Sequence, residues 1–173
     1  MKNSYSSWRT LAPIFEANGE IDKAIDLLAG ASEFGDIEAL VALAKVYWMK
    51  RRFDAATTCI NRAEEKVKAD DFETHWQLHL AYSLGVGEIG RFERQRRAFL
   101  HLCVAADLDQ HPALLMSVGG HYRDGLNGVQ KDLDEAEVWL SKAAATGDKD
   151  AISVFKSFLK KLKRKENKPD RSL

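Results

Sequence analysis

The sequence predicts an all-α protein: about four consecutive helix-turn-helix repeats closed by one further C-terminal capping helix. Apolar residues recur at helical spacing along most of the chain. A close-packed pair followed three positions later by a large residue recurs as Leu11-Ala12…Phe15, Leu43-Ala44…Tyr47, Leu78-His79…Tyr82 and Val118-Gly119…Tyr122, so that the large residues step by 32, 35 and 40 positions. Alanines seven apart advance with that series: Ala24 and Ala31, Ala56 and Ala63, Ala98 and Ala105, Ala136 and Ala143. Two independent series moving together at such intervals mark a repeat array, in which small residues let paired helices approach closely.

In chain order, the first helix is expected from about Ser7 to Ala17, closed by Asn18-Gly19, with Pro13 bending its last turn. Its partner runs from about Ile21 to Phe34, where Gly35-Asp36 ends one repeat and caps the next. Asp148 stands in the same relation to Ala151 as Asp36 does to Ala39, so the same turn is expected twice. The second repeat covers about Ile37 to Ala69, with a turn at Lys50 to Arg52. Asp70-Asp71 caps the third, whose helices are separated by a glycine-rich loop, the second running from about Phe92 to Ala106. His111-Pro112 opens the fourth, proline being tolerated in a first turn. The closing helix is expected from about Asp150 to Lys165, a degenerate fifth copy with Phe155-Lys156…Leu159, followed by an unstructured tail over residues 166–173. One repeat domain over residues 1–165 is expected.

The chain has 173 residues, 45% of them apolar, enough for a substantial core. No run approaches the length of apolar sequence that a membrane-spanning helix needs. The N-terminal residues carry no secretory pattern, so a cytoplasmic protein is expected, with no membrane partner. Lys plus Arg equals Asp plus Glu at 26 each, but between Lys156 and Arg171 eight bases face two acids, leaving the rest of the chain mildly acidic. Cys59 and Cys103 sit on apolar helix segments, spaced as buried small side chains rather than as a disulfide or metal pair.

Repeat four, with Tyr122-x-x-Gly125, Gly128-Val129, Asp132, Ala136, Trp139, Ala143-Ala144 and Gly147, resembles the Sel-1-like repeat, a relative of the tetratricopeptide repeat. It departs by an extra residue in the Gly125 to Gly128 loop and one between Ala113 and Val118. Repeat three keeps Tyr82-x-x-Gly85-x-Gly87 and its alanines, whereas repeats one and two look closer to the tetratricopeptide form. The resemblance covers about Trp8 to Leu159. It implies a right-handed α-α solenoid acting as an adaptor, scaffold or inhibitor for other proteins, bound on a concave face lined by the first helix of each repeat. It places Glu38, Val41, Lys45, Trp48 and Met49 on that face in repeat two. In repeat three it places Glu73, Trp76, Leu80, Ser83 and Leu84, and in repeat four Met116, Arg123 and Asp124. Trp8 falls at a core position. Small bacterial proteins of this kind include immunity proteins that block a secreted toxin, which makes that role one implied possibility.

Other motifs point away from catalysis. Gly85-Val86-Gly87-Glu88-Ile89-Gly90 spells a dinucleotide fingerprint, but such a loop must follow a strand, and here it follows a helix. His75 and His79 share one helix face without a third ligand in view, so histidines with ordinary hydrogen bonds are expected and no metal. No nucleophile lies beside a base, and the carboxylates are scattered at helical spacing. A non-enzyme without cofactor is expected, with a protein or peptide as partner. The alternative is a nucleic-acid-associated regulator using Arg91, Arg94, Arg96 and Arg97 with the basic C-terminal helix; the absence of aromatics after Phe158 argues against a single strand as ligand.

Overall fold

A computed structural model describes residues 7–166. Among the described residues there are nine helices and no strand: α1 (Trp8–Ala17), α2 (Ile21–Glu33), α3 (Ile37–Met49), α4 (Phe53–Lys66), α5 (Phe72–Ser83), α6 (Arg91–Asp109), α7 (Pro112–Asp124), α8 (Leu133–Ala145) and α9 (Lys149–Glu166). They form the four pairs and closing helix that the repeat pattern predicts. From Asn167 onward, the expected tail lies outside the described residues. The chain separates into two compact units, Met1–His101 and Leu102–Leu173.

The turns between repeats hold because side chains satisfy the first amides of each helix, which have no partner within it. Asp36 accepts a hydrogen bond from the Ala39 amide (3.0 Å), and Asp148 does the same for Ala151 (2.8 Å). Asp71 caps α5 through the Thr74 amide at 3.0 Å and takes the Thr74 hydroxyl at 2.6 Å. Each such cap contributes about 1 kcal/mol. At the start of α7, His111 Nδ1 accepts from the Ala113 amide (3.3 Å), and Pro112 occupies the first turn, where no amide is needed.

All eight of the spaced alanines are buried, as expected of small side chains on the packed face of each second helix. The pair signature is buried too, with two exceptions: His79 is half-buried, and Leu11 lies open. Leu11 is 39% exposed, because α1 has no helix before it among the described residues. In the first unit the core is continuous from Trp8 through Leu28, Leu40, Ile60 and Leu78 to Ala98. In the second, Ala136, Leu140 and Phe158 gather Met116, Tyr122, Phe155 and Leu162 around them. There Gly119 meets α8 so closely that an added Cβ would lie 2.8 Å from Leu140 Cγ. At the end of α7, Gly125 takes φ 68° and ψ 47°, a left-handed cap that few other residues adopt, and its amide returns to the His121 carbonyl.

Candidate functional site

In the first unit, the first helices of three successive repeats, α1, α3 and α5, border one groove of about 860 Å³. Their alignment is visible in cross-links of constant register. Arg9 Nη2 donates to Glu38 Oε1 at 2.7 Å, 29 residues on, and Lys45 Nζ donates to Gln77 Oε1 at 2.8 Å, 32 residues on. Each bond reaches the residue three before its counterpart in the next repeat, Glu38 before Val41 and Gln77 before Leu80, the same offset twice between adjacent parallel helices.

The groove is polar at one end and apolar at the other. At the polar end Trp8 Nε1 donates to Asp36 Oδ2 (2.7 Å), and the Arg9 guanidinium lies 4.7 Å from the Trp8 ring centroid and 3.8 Å from Asp36. The hydrogen bond to Glu38 holds the Arg9 cation more firmly than usual. Midway, Lys45 crosses to an amide rather than to a carboxylate, and Gln77 Nε2 donates onward to Glu73 Oε1 (2.9 Å). Burial lowers the Lys45 pKa, opposed by the fields of Glu16 and Glu73. The apolar end consists of Trp48, Met49, Leu84 and Val86. Trp48 is braced from behind by Phe53, with ring centroids 4.6 Å apart, while Met49 and Leu84 are 62% and 71% exposed.

Of the residues expected on a concave face, Glu38, Lys45, Trp48, Met49, Glu73 and Leu84 border this groove. Val41 does not: it is fully buried. On α3 the groove is bordered by Glu38, Ala42, Lys45, Val46, Trp48 and Met49, whereas Val41 falls on the core side with Leu40 and Ala44. Trp76 and Leu80 are half-buried on α5 but outside the groove, Trp76 being stacked on His79 with ring centroids 5.3 Å apart. Met116 packs on the second unit's core, and Arg123 forks onto Asp124 at 2.9 and 2.5 Å. Sequence reasoning put the first helix of each repeat on that face but named no position of α1 there. Shifting the groove positions Lys45 and Trp48 back by 32 residues gives Pro13 and Glu16, which border the groove together with Arg9.

The remaining motifs are engaged internally. The loop after α5 follows a helix, buries Val86, donates the Glu88 amide to Thr57 Oγ1 (2.8 Å), and gives two of its carbonyls to Arg94 (3.2 and 3.0 Å). Arg96 and Arg97 pair with Glu93, and Arg97 also pairs with Glu64, so three of the four clustered arginines are committed within the fold. His79 Nδ1 faces the Ala98 carbonyl at 2.8 Å, and His75 Nδ1 lies 2.8 Å from His101 Nδ1. Burial raises the Cys59 thiol pKa and pushes that of Cys103 up to about 12, away from the reactive thiolate. No helix among the described residues is long and apolar enough to cross a membrane.

Repeated helical hairpins define the class: in fold the chain is an all-α helical repeat protein of four helix-turn-helix units and a closing helix among the described residues. No family model matches the sequence, and no curated protein does. Among solved structures, the crystal structure of MamA protein superposes with a TM-score of 0.51 at 17% identity, covering 100% of this chain and 98% of that one. The MamA RS-1 ArsTM double mutant gives 0.49 at 15% identity, covering 84% of this chain and 76% of that one. YrrB, described as a TPR protein with an unusual peptide-binding site, gives 0.48 at 17% identity, with coverage of 88% and 75%. At such identities the likeness is one of fold.

Proposed function

We propose that the chain is a non-catalytic protein-interaction module holding a peptide or protein surface in the groove bordered by α1, α3 and α5. The observation that carries this reading is the apolar end of the groove. Met49 and Leu84 are large side chains left mostly open to water beside the indole of Trp48, where packing does not call for them. A scaffold of helical hairpins suits the task, since it presents many first-helix side chains on one rigid surface. Within this proposal stand the Sel-1-like character of repeat four, a cytoplasmic location and one repeat domain over residues 1–165; a single cooperative melting transition is expected for the last. The finer role of immunity protein against a secreted toxin rests on the family resemblance, and a toxin or secretion gene beside its own gene is the expected neighbour.

The test is affinity capture with mass spectrometry on the wild type and on a Met49→Gln/Leu84→Gln variant. A specific protein retained by the wild type and lost by the variant supports the groove. Equal capture by both places recognition elsewhere on the chain.

A further inference from the structure

We infer that the groove's occupant is a short peptide segment that carries a bulky apolar side chain and, beside it, a lysine or arginine. The inference rests on the reading of the groove as a binding site and adds the chemistry of the partner. Three carboxylates border the groove, Glu16, Glu38 and Glu73, against two cations, Arg9 and Lys45. Arg9 is already neutralised, bonded to Glu38 and close to Asp36 behind it. Lys45 spends a donor on the neutral amide of Gln77. Among the described residues the Glu16 carboxylate has neither hydrogen bond nor ion pair, only its field on Lys45, and Glu73 uses one oxygen on Gln77. The acceptors left open are therefore carboxylate oxygens, and an incoming carboxylate would add to an existing negative excess.

The apolar end gives the anchor, and its level on the helices gives the spacing. Glu16 corresponds to Trp48 when the repeats are shifted by 32 residues, so the open carboxylate stands level with the indole, next to the apolar pocket. A partner's apolar side chain on Trp48, Met49 and Leu84 thus brings its neighbouring residue to Glu16. From Glu73 on α5 to Leu84, the residue that caps it, is eleven steps, about 16 Å at the helical rise. That length accommodates about five residues of extended chain. Lys45 is already disfavoured as a cation by its burial, and a basic occupant disfavours it further, so its removal should help rather than harm.

The experiment titrates the full chain with two fluorescent pools of short random peptides matched in apolar content, read by anisotropy. One pool has lysine and arginine as its only charged residues; the other has aspartate and glutamate. The basic pool is expected to bind the wild type more tightly. Glu16→Gln and Glu73→Gln should each weaken it about fivefold, the size of one partly exposed charge pair, and Lys45→Met should tighten it. Preference for the acidic pool, weakened by Lys45→Met, overturns the inference while leaving the groove as the site. Binding by either pool that ignores Met49→Gln/Leu84→Gln, or binding by neither, overturns the groove reading itself. Melting curves on each variant separate lost folding from lost binding.

Discussion

The helix pair of repeat four and the first helices of the N-terminal unit solve opposite problems. Between α7 and α8 the aim is closeness: Gly119 has no side chain, Leu140 fills the space, and Ala136 and Ala143 are fully buried beside it. Around the groove the aim is separation. Small residues, Ala12, Ala42 and Pro13, line the surface there, larger ones stand at the rim, and the helices are tied by polar bridges such as Lys45 to Gln77 rather than by contact of their exposed faces. Positions that bring helices together are thus held by steric limits, whereas groove positions are free to carry whatever a partner selects.

The largest effect should therefore come from the tight pair. Gly119→Leu places a branched side chain where even a Cβ lies 2.8 Å from Leu140, and α8 backbone at 3.3 Å blocks retreat. A loss of about 3 kcal/mol is expected, the upper end of overpacking costs, with Ala143→Leu between about 1 and 3. Denaturant unfolding measures both, and an unchanged midpoint would break the contrast.

Next in size is binding at the groove. Trp48→Ala should weaken a recovered partner by about 2 kcal/mol, a hot-spot loss, and Lys45→Glu should act in the direction set by the partner's charge. Trp76→Ala is expected to leave affinity nearly unchanged, since Trp76 stacks on His79 outside the groove. Titration calorimetry with parallel melts tells these apart, and affinity lost only in step with stability would reduce Trp48 to packing. Met49→Gln and Leu84→Gln alone should shift stability by about 0.5 kcal/mol or less, as exposed substitutions do.

The same contrast explains what could be read in advance. Close packing leaves a strict residue code, so Ala24, Ala56, Gly119 and Ala143 announced the pairing, and Asp36 and Asp148 announced the turns. A groove face leaves only a helical phase. The resemblance extended the face to Val41 and, 35 residues on, to its counterpart Trp76; the first lies buried in the core and the second stacks on His79 outside the groove. No position of α1 was named on that face, although a 32-residue shift from Lys45 and Trp48 gives Pro13 and Glu16.

The smallest effect expected is one of pH, and it belongs to the N-terminal unit alone. His75, buried on α5, places Nε2 3.2 Å from the Lys68 carbonyl and Nδ1 2.8 Å from His101 Nδ1 on α6. The carbonyl can only accept, so His75 carries its proton on Nε2 and its Nδ1 accepts from His101. Around them stand Glu64 of α4, 3.2 Å from His101 Nε2 and paired with Arg97, Tyr82 stacked on the His101 ring, and Asp71 at the start of α5. Burial, helped by the charge of His101, lowers the His75 pKa, and the weaker pull of the Lys68 carbonyl and Asp71 does not restore it. Unfolding returns His75 to its ordinary value of about 6.5, so between that pH and its lowered native value the unfolded chain binds more protons. Stability should hold above that ordinary value and fall as pH drops below it. Glu64 acts in a separate, more acidic window: the hydrogen bond to His101 and the Arg97 charge outweigh its burial and lower its pKa, so its contribution is lost only as pH falls below about 4.5. Melting midpoints of wild type and His75→Gln across this range measure the difference. A His75→Gln profile as steep as the wild type's between pH about 6.5 and about 5 would remove His75 from the account.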